Sequence, residues 1–98
     1  AAHHKLPVVV SSALESAVGI SHGLRLASVI PDLEYACGLA TSALFVSDVG
    51  TIPIANGVMS VSAPEIDDER LQRFAASPDR LEWWRNRTSE VWKLRRTA

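Results

Sequence analysis

The chain has 98 residues, of which 47% are hydrophobic and 21% charged, a composition that is typical of a folded domain and excludes a disordered or collagen-like segment. Its ten basic and eleven acidic side chains leave a net charge of -1, so no overall field attracts nucleic acid or an anionic membrane surface. A single cysteine excludes an internal disulfide, no apolar run is long enough to cross a bilayer and no signal-peptide pattern opens the chain, so we expect a cytoplasmic protein.

The first half of the chain predicts a strand–helix–strand unit. Residues 6–10 form a short, continuous β-branched run, which is typical of a strand that is covered on both faces in a parallel sheet. Residues 13–30 carry apolar side chains at spacings of three and four and end at Pro31, which indicates one amphipathic helix. Residues 33–37 then predict a second strand, parallel to the first and joined to it by a right-handed crossover.

Two glycines lie four residues apart inside the predicted helix, at Gly19 and Gly23. Each costs a helix about 1 kcal/mol relative to alanine. We therefore expect this helix to approach a neighbouring segment closely at these positions.

The second half predicts a hairpin and two helices after one or two helical turns within residues 39–49. Asn56 and Gly57 favour a type I′ turn between strands within residues 52–61, because both residue types accept a positive φ. Asp67 is expected to cap a helix that runs to about residue 76, and Ser77 to cap a second helix that begins with proline. The spacing along these helices predicts one buried stripe on each. The residues of these stripes are Leu71, Phe74 and Ala75 on the first helix, and Leu81, Trp84, Thr88, Val91 and Trp92 on the second.

Charge divides the chain in the same way. Residues 1–56 carry two basic and four acidic side chains, and residues 57–98 carry eight and seven with alternating sign. Interleaved charges are typical of solvent-facing helices. The first half therefore indicates an interior, and the second half a surface layer.

Two places where a predicted strand ends are candidate ligand sites. Ser11 and Ser12 follow the first strand, at the edge where parallel α/β sheets bind ligands, and hydroxyl and helix N–H groups there can hold a carboxylate. The alternative is a capping box, in which Ser12 caps the helix and Glu15 reaches back. Gly38 follows the second strand and would let a backbone N–H approach a ligand oxygen, although it could equally be an ordinary turn glycine beside a buried Cys37.

Other polar clusters favour structural roles. The three histidines lack the spacing of a metal site, and the carboxylates of residues 67–69 suit a helix N-terminus. Trp83 and Trp84 with nearby arginines suggest a stacking surface for nucleic acid, but acidic neighbours offset their charge. We therefore expect neither a nucleic-acid partner nor a membrane partner.

Three stretches of the chain resemble the o-succinylbenzoate synthases of actinobacteria, a family of the enolase superfamily. They lie at residues 7–19, with Ser-Ser-Ala-Leu-Glu-Ser, at residues 31–39, with Cys-Gly-Leu, and at residues 44–49, with Leu-Phe-Val-Ser-Asp-Val. The resemblance implies an α/β fold, the C-terminal part of a modified TIM barrel with residues 6–10 and 33–37 as its last two strands. Residues 1–50 would end the barrel, and residues 51–98 would form a hairpin and helices that pack on the barrel and on a capping domain.

The resemblance also implies a function. The family is a lyase that dehydrates 2-succinyl-6-hydroxy-2,4-cyclohexadiene-1-carboxylate to o-succinylbenzoate in menaquinone biosynthesis, with catalytic lysines and Mg²⁺ ligands on earlier barrel strands. No catalytic or metal-binding residue is therefore expected here, and the chain alone should be inactive. The residues expected to bind the carboxylate substrate are Ser11, Ser12 and Ala13 on the succinyl side, and Gly38 and Leu39 on the other. Two alternatives remain: a related racemase, epimerase or cycloisomerase, and a non-catalytic helical module that binds a partner through its tryptophans.

Overall fold

The computed structural model describes residues 2–97. The chain begins with a short 3-10 helix, Ala2–His4, and a second 3-10 helix spans Thr41–Leu44. The α-helices are α1 (Ala17–Val29), α2 (Asp68–Arg73) and α3 (Pro78–Thr97). The strands are β1 (Gly50–Thr51), β2 (Ile54–Ala55), β3 (Val58–Met59) and β4 (Glu65–Ile66), with β1 antiparallel to β4 and β2 antiparallel to β3.

Helix α1 confirms the predicted amphipathic helix and carries most of the small core. Its buried apolar side chains are Ala17, Ile20 and Leu24, at spacings of three and four, and they pack with Leu39 and Ile52. The helix ends at Val29, before Pro31 as predicted, but it begins four residues later than the predicted start at residue 13. Residues 13–16 instead lead into the helix with Ser16 in an extended conformation.

The two predicted parallel strands pair through a single backbone bridge among the described residues. Residues 6–10 and 33–37 form no regular strand, and only Ser11 and Gly38 make a parallel bridge. The Gly38 N–H donates to the Val10 carbonyl and the Ser12 N–H to the Gly38 carbonyl, both at 2.9 Å. The direction of pairing is therefore as predicted and the strand lengths are wrong. Within residues 2–97 no further strand pairs with either segment to extend the ladder.

The predicted hairpin is confirmed. Ile54 pairs with Met59 and Ala55 with Val58, and Asn56 and Gly57 have φ values of 51° and 74°, as a type I′ turn requires. The helical prediction for residues 39–49 is confirmed only as the 3-10 helix Thr41–Leu44.

Both predicted helix caps are present in the last third of the chain. Asp67 Oδ1 accepts from the Arg70 N–H at 3.0 Å, and Ser77 Oγ accepts from the Arg80 N–H at 3.4 Å. Helix α2 ends at Arg73, three residues earlier than predicted. None of the helices described within residues 2–97 combines the length and apolar character needed to span a bilayer.

The predicted burial of the stripes on α2 and α3 is wrong for this chain. Side chains along both helices are exposed, including Leu71, Phe74, Ala75, Leu81, Trp84, Thr88, Val91 and Trp92. The Trp84 and Trp92 side chains, for example, are 51% and 59% exposed. An amphipathic stripe shows that a helix needs an apolar neighbour, and the described residues provide none for α3.

The radius of gyration and the exposed surface of the molecule are both larger than those of a compact domain of this size. Its radius of gyration is 16.2 Å, whereas a compact domain of this length has about 13 Å. It exposes 8122 Å² of surface, against about 5,500 Å² for a compact protein of this mass. About 2,600 Å² that a self-contained domain would bury is therefore open to solvent.

Candidate functional site

The parallel bridge brings the two candidate ligand-binding segments together. Ser11 and Gly38 lie side by side, and a Cβ built on Gly38 would sit 3.0 Å from Ser11 Oγ. Glycine at this position therefore leaves room for the Ser11 hydroxyl. The Ser11 side chain is exposed, and its Oγ makes no hydrogen bond within residues 2–97, so its proton is free for a ligand.

Ser12 does not cap α1 as the alternative interpretation predicted. Its Oγ donates to the Gly38 carbonyl at 3.0 Å and lies 2.7 Å from Thr41 Oγ1. Because a hydroxyl carries one proton, Thr41 donates to Ser12 when Ser12 donates to Gly38. The capping-box interpretation of Ser12 with Glu15 is therefore wrong, since the residue at the N-cap of α1 is Ser16.

The other two predicted site residues offer backbone groups. Ala13 is exposed and directly follows the serines. The Leu39 side chain is buried in the core, so this residue can face a ligand only with its main chain. The N–H groups of Ala13 and Leu39 make no hydrogen bond within the described residues, which leaves two donors beside the Ser11 hydroxyl.

Gly23 explains how Leu39 reaches the core. A Cβ built on Gly23 would lie 2.7 Å from Leu39 Cδ2, so a side chain here would displace the leucine. This confirms the expected close approach of α1 to a neighbouring segment. Gly19 likewise gives room to the Glu15 side chain, whose Cβ would lie 2.6 Å from an added Cβ.

Asp48 was not singled out by the sequence, yet it connects this region to α1. Its Oδ2 accepts from the Ala17 N–H at 2.8 Å and its Oδ1 from the Val49 N–H at 2.6 Å. A cap from 31 residues away cannot be found from local spacing. The available signal was that the first turn of α1 has no acidic residue of its own to complement its dipole.

The chain offers no metal site of its own in the region that the structure covers. No three His, Cys, Asp or Glu side chains converge among residues 2–97. The residues present therefore do not fit a Mg²⁺ centre. Cys37 is half-buried, and its Sγ lies 3.5 Å from the Val10 N–H, which suits a packing role.

Comparison with known proteins adds a close similarity. No family model matches the chain. The o-succinylbenzoate synthases of Mycobacterium ulcerans, Mycobacterium marinum and Mycobacterium tuberculosis (strain H37Rv) are each 45% identical to it over 96 residues. The match covers 96% of this chain and 29% of each mycobacterial protein. The chain thus spans less than a third of the length of these curated relatives.

Proposed function

The chain is a relative of the o-succinylbenzoate synthases, matched over one part of their length, and we propose that it forms the C-terminal end of such an enzyme. The proposed reaction is the Mg²⁺-dependent dehydration of 2-succinyl-6-hydroxy-2,4-cyclohexadiene-1-carboxylate to o-succinylbenzoate, in menaquinone biosynthesis in the cytoplasm. The identity of 45% along nearly the whole chain is the observation that carries this proposal.

The reaction breaks one C–H and one C–O bond and releases water. It needs a base for the proton α to the carboxylate and a cation for the charge that develops on that carboxylate. We assign neither role to this chain, because no carboxylate cluster forms within residues 2–97 and because Lys5 and Lys93 lie outside the matching motifs. The base and the Mg²⁺ ligands are expected upstream.

The contribution of this chain is to bind and orient the substrate. Ser11 supplies a hydroxyl donor, and Ala13 and Leu39 supply unpaired N–H groups, all on the two segments that the Ser11–Gly38 bridge joins. Such donors suit the succinyl carboxylate, since hydrogen bonds to a charged acceptor are the stronger kind. Ser12 holds the geometry through Gly38 and can offer only a lone pair. Orientation of this kind lowers the barrier without any bond being made by these residues.

The exposed surface supports a larger assembly. Residues 1–50 would complete the barrel wall, and residues 51–98 would pack against the barrel and a capping domain. Such packing would cover the exposed apolar side chains of α3, of which Trp83, Trp84 and Trp92 are the largest. The chain exposes about 2,600 Å² more surface than a compact protein of its mass. A large interface with the rest of an enzyme buries an area of this order.

A chimeric enzyme tests the proposal. This chain replaces the matching segment of the Mycobacterium tuberculosis relative, and dehydration is followed by the absorbance of the aromatic product. We expect Mg²⁺-dependent turnover from the chimera and none from the same host with the segment deleted. A folded chimera without dehydration would contradict the proposal, and one that instead racemises N-succinylamino acids would favour the racemase alternative. A purified 98-residue chain that is monomeric and unfolds cooperatively would favour the helical binding module.

A further inference from the structure

Asp48 lies at the end of a segment that contacts the proposed substrate-binding loop, residues 11–16, and the start of α1. The segment of residues 38–48 contacts the loop of residues 11–16 first through the Gly38 and Thr41 oxygens, which bond Ser12. Its second contact is the Asp48 carboxylate, which bonds the Ala17 N–H. Between Ser12 and Ala17 lie residues 13–16, which follow Ser11 and Ser12 and lead into α1.

The hydrogen bond of the second contact comes from the Asp48 side chain, beside the packing of Ala17 and Leu39 in one core cluster. The Ser16 side chain occupies the N-cap position and makes no capping hydrogen bond, so Asp48 takes over that role. Both of its oxygens are occupied, one by each segment, since Oδ1 accepts from Val49 and Oδ2 from Ala17. The carboxylate is half-buried and sits at the positive end of the α1 dipole, which strengthens both bonds.

We propose that Asp48 is a positioning residue for substrate binding, which fixes the loop of residues 11–16 against Gly38 through its hydrogen bond to Ala17. The inference rests on the proposed function, because the loop carries the hydroxyl and N–H donors assigned to the succinyl carboxylate. Asp48 itself contacts no substrate. Its removal leaves the base and the Mg²⁺ ligands of the complete enzyme in place and releases the loop.

The test uses Asp48→Ala and Asp48→Asn in the chimeric enzyme, with Asp67→Ala as the matched control. Asp67 also caps a helix through one N–H, at the N-cap of α2, and its side chain bonds Arg70. Its main-chain N–H bonds the Val49 carbonyl, and the substitution leaves that N–H in place. For Asp48→Ala we expect KM to rise about tenfold and kcat to fall less than about threefold, as the loss of one charge-assisted hydrogen bond predicts. Asp48→Asn keeps one acceptor oxygen and should give an intermediate KM, and the control should leave KM unchanged.

Amide hydrogen exchange separates this inference from the proposed function. Exchange at the Ser12 amide, which bonds the Gly38 carbonyl, should accelerate about tenfold in Asp48→Ala and less in Asp48→Asn, whether or not the chimera is active. An inactive parent chimera would defeat the proposed function, and unchanged exchange in the same protein would defeat the role of Asp48. An active chimera in which Asp48→Asn and Asp48→Ala leave KM unchanged, or lower kcat alone, would overturn the inference.

Discussion

Replacing Gly38 with valine is expected to weaken substrate binding while it leaves Mg²⁺ binding almost unchanged. The backbone of Gly38 is not in the left-handed region, so valine is conformationally possible there. Its Cβ, however, would lie 3.0 Å from Ser11 Oγ and 3.6 Å from Ser11 Cβ, closer to the hydroxyl than ordinary packing allows. The γ-methyl groups add to the crowding. Because Ser11 is exposed, its hydroxyl can rotate away at little cost to the fold.

The magnitude follows from the bond that this rotation removes. A hydrogen bond to a charged group contributes about 1.5–3 kcal/mol, so KM for the succinyl substrate should rise about 10- to 150-fold. Gly38→Ala lacks the γ-methyl groups and should show a smaller increase. The Mg²⁺ activation constant should change less than about twofold, because the proposed Mg²⁺ ligands lie upstream of this chain. Substitutions at distant, independent sites usually add to within a few tenths of a kcal/mol, about a twofold change.

The assay is steady-state kinetics of the chimeric enzyme, with substrate and Mg²⁺ varied independently. Ala36→Val is the control, because it adds the two γ-methyl groups of valine to an existing Cβ at an exposed position two residues earlier on the same segment. The reasoning is refuted if Gly38→Val raises the Mg²⁺ activation constant more than KM, or if the control raises KM equally.

Two further predictions concern the chain as a whole. The 98-residue chain alone should show no Mg²⁺-dependent dehydration, because no carboxylate cluster forms within residues 2–97; measurable turnover by the purified polypeptide would disprove the upstream placement of the catalytic groups. Ile20→Ala should destabilise the chimera by about 2–5 kcal/mol, because this side chain is only 1% exposed. Urea titration of both variants measures the loss of stability. Ile54→Ala, at a position that is 43% exposed, should lower the free energy of unfolding clearly less, and equal urea midpoints for the two variants would contradict the assignment of the core.

The features that sequence predicted correctly are those that neighbouring residues determine. The turn at Asn56 and Gly57 depends on two backbone conformations that these residue types favour, and the caps at Asp67 and Ser77 each bond an N–H three residues away. The end of α1 before Pro31 is equally local. Each of these predictions needed only a few adjacent residues.

The features that sequence missed depend on partners far along the chain. Ser12 has the right spacing to cap a helix, but its hydroxyl bonds Gly38 and Thr41, so α1 starts later than predicted. The cap that α1 does have comes from Asp48. Of the candidate site, the proximity of Ser11 and Gly38 could be predicted from the parallel pairing, whereas the division of roles between the two serines could not, since it depends on where one proton goes.

Strands and stripes show a second limit. Residues 6–10 have the composition of a buried strand, but a strand is completed by hydrogen bonds from its neighbours, and here only the bridge at Ser11 forms. The pattern on α3 similarly indicates that one face needs cover without indicating what covers it. Composition therefore predicted that residues 6–10 need neighbouring strands and that α3 needs an apolar neighbour. The described residues supply one bridge to the first segment and no cover for the second.

The single bridge between Ser11 and Gly38 also has a consequence for the order of folding. The hairpin closes over a two-residue turn, and helix α3 forms from contacts within one turn, so both can form in microseconds. The bond between Ser12 and Gly38 joins residues that are 26 positions apart. Closing this loop has a higher entropic cost than closing the hairpin, and it forms only one pair of backbone hydrogen bonds. The ligand-binding segments should therefore gain protection after the hairpin and α3 when the chain refolds, and lose it before them as denaturant is added.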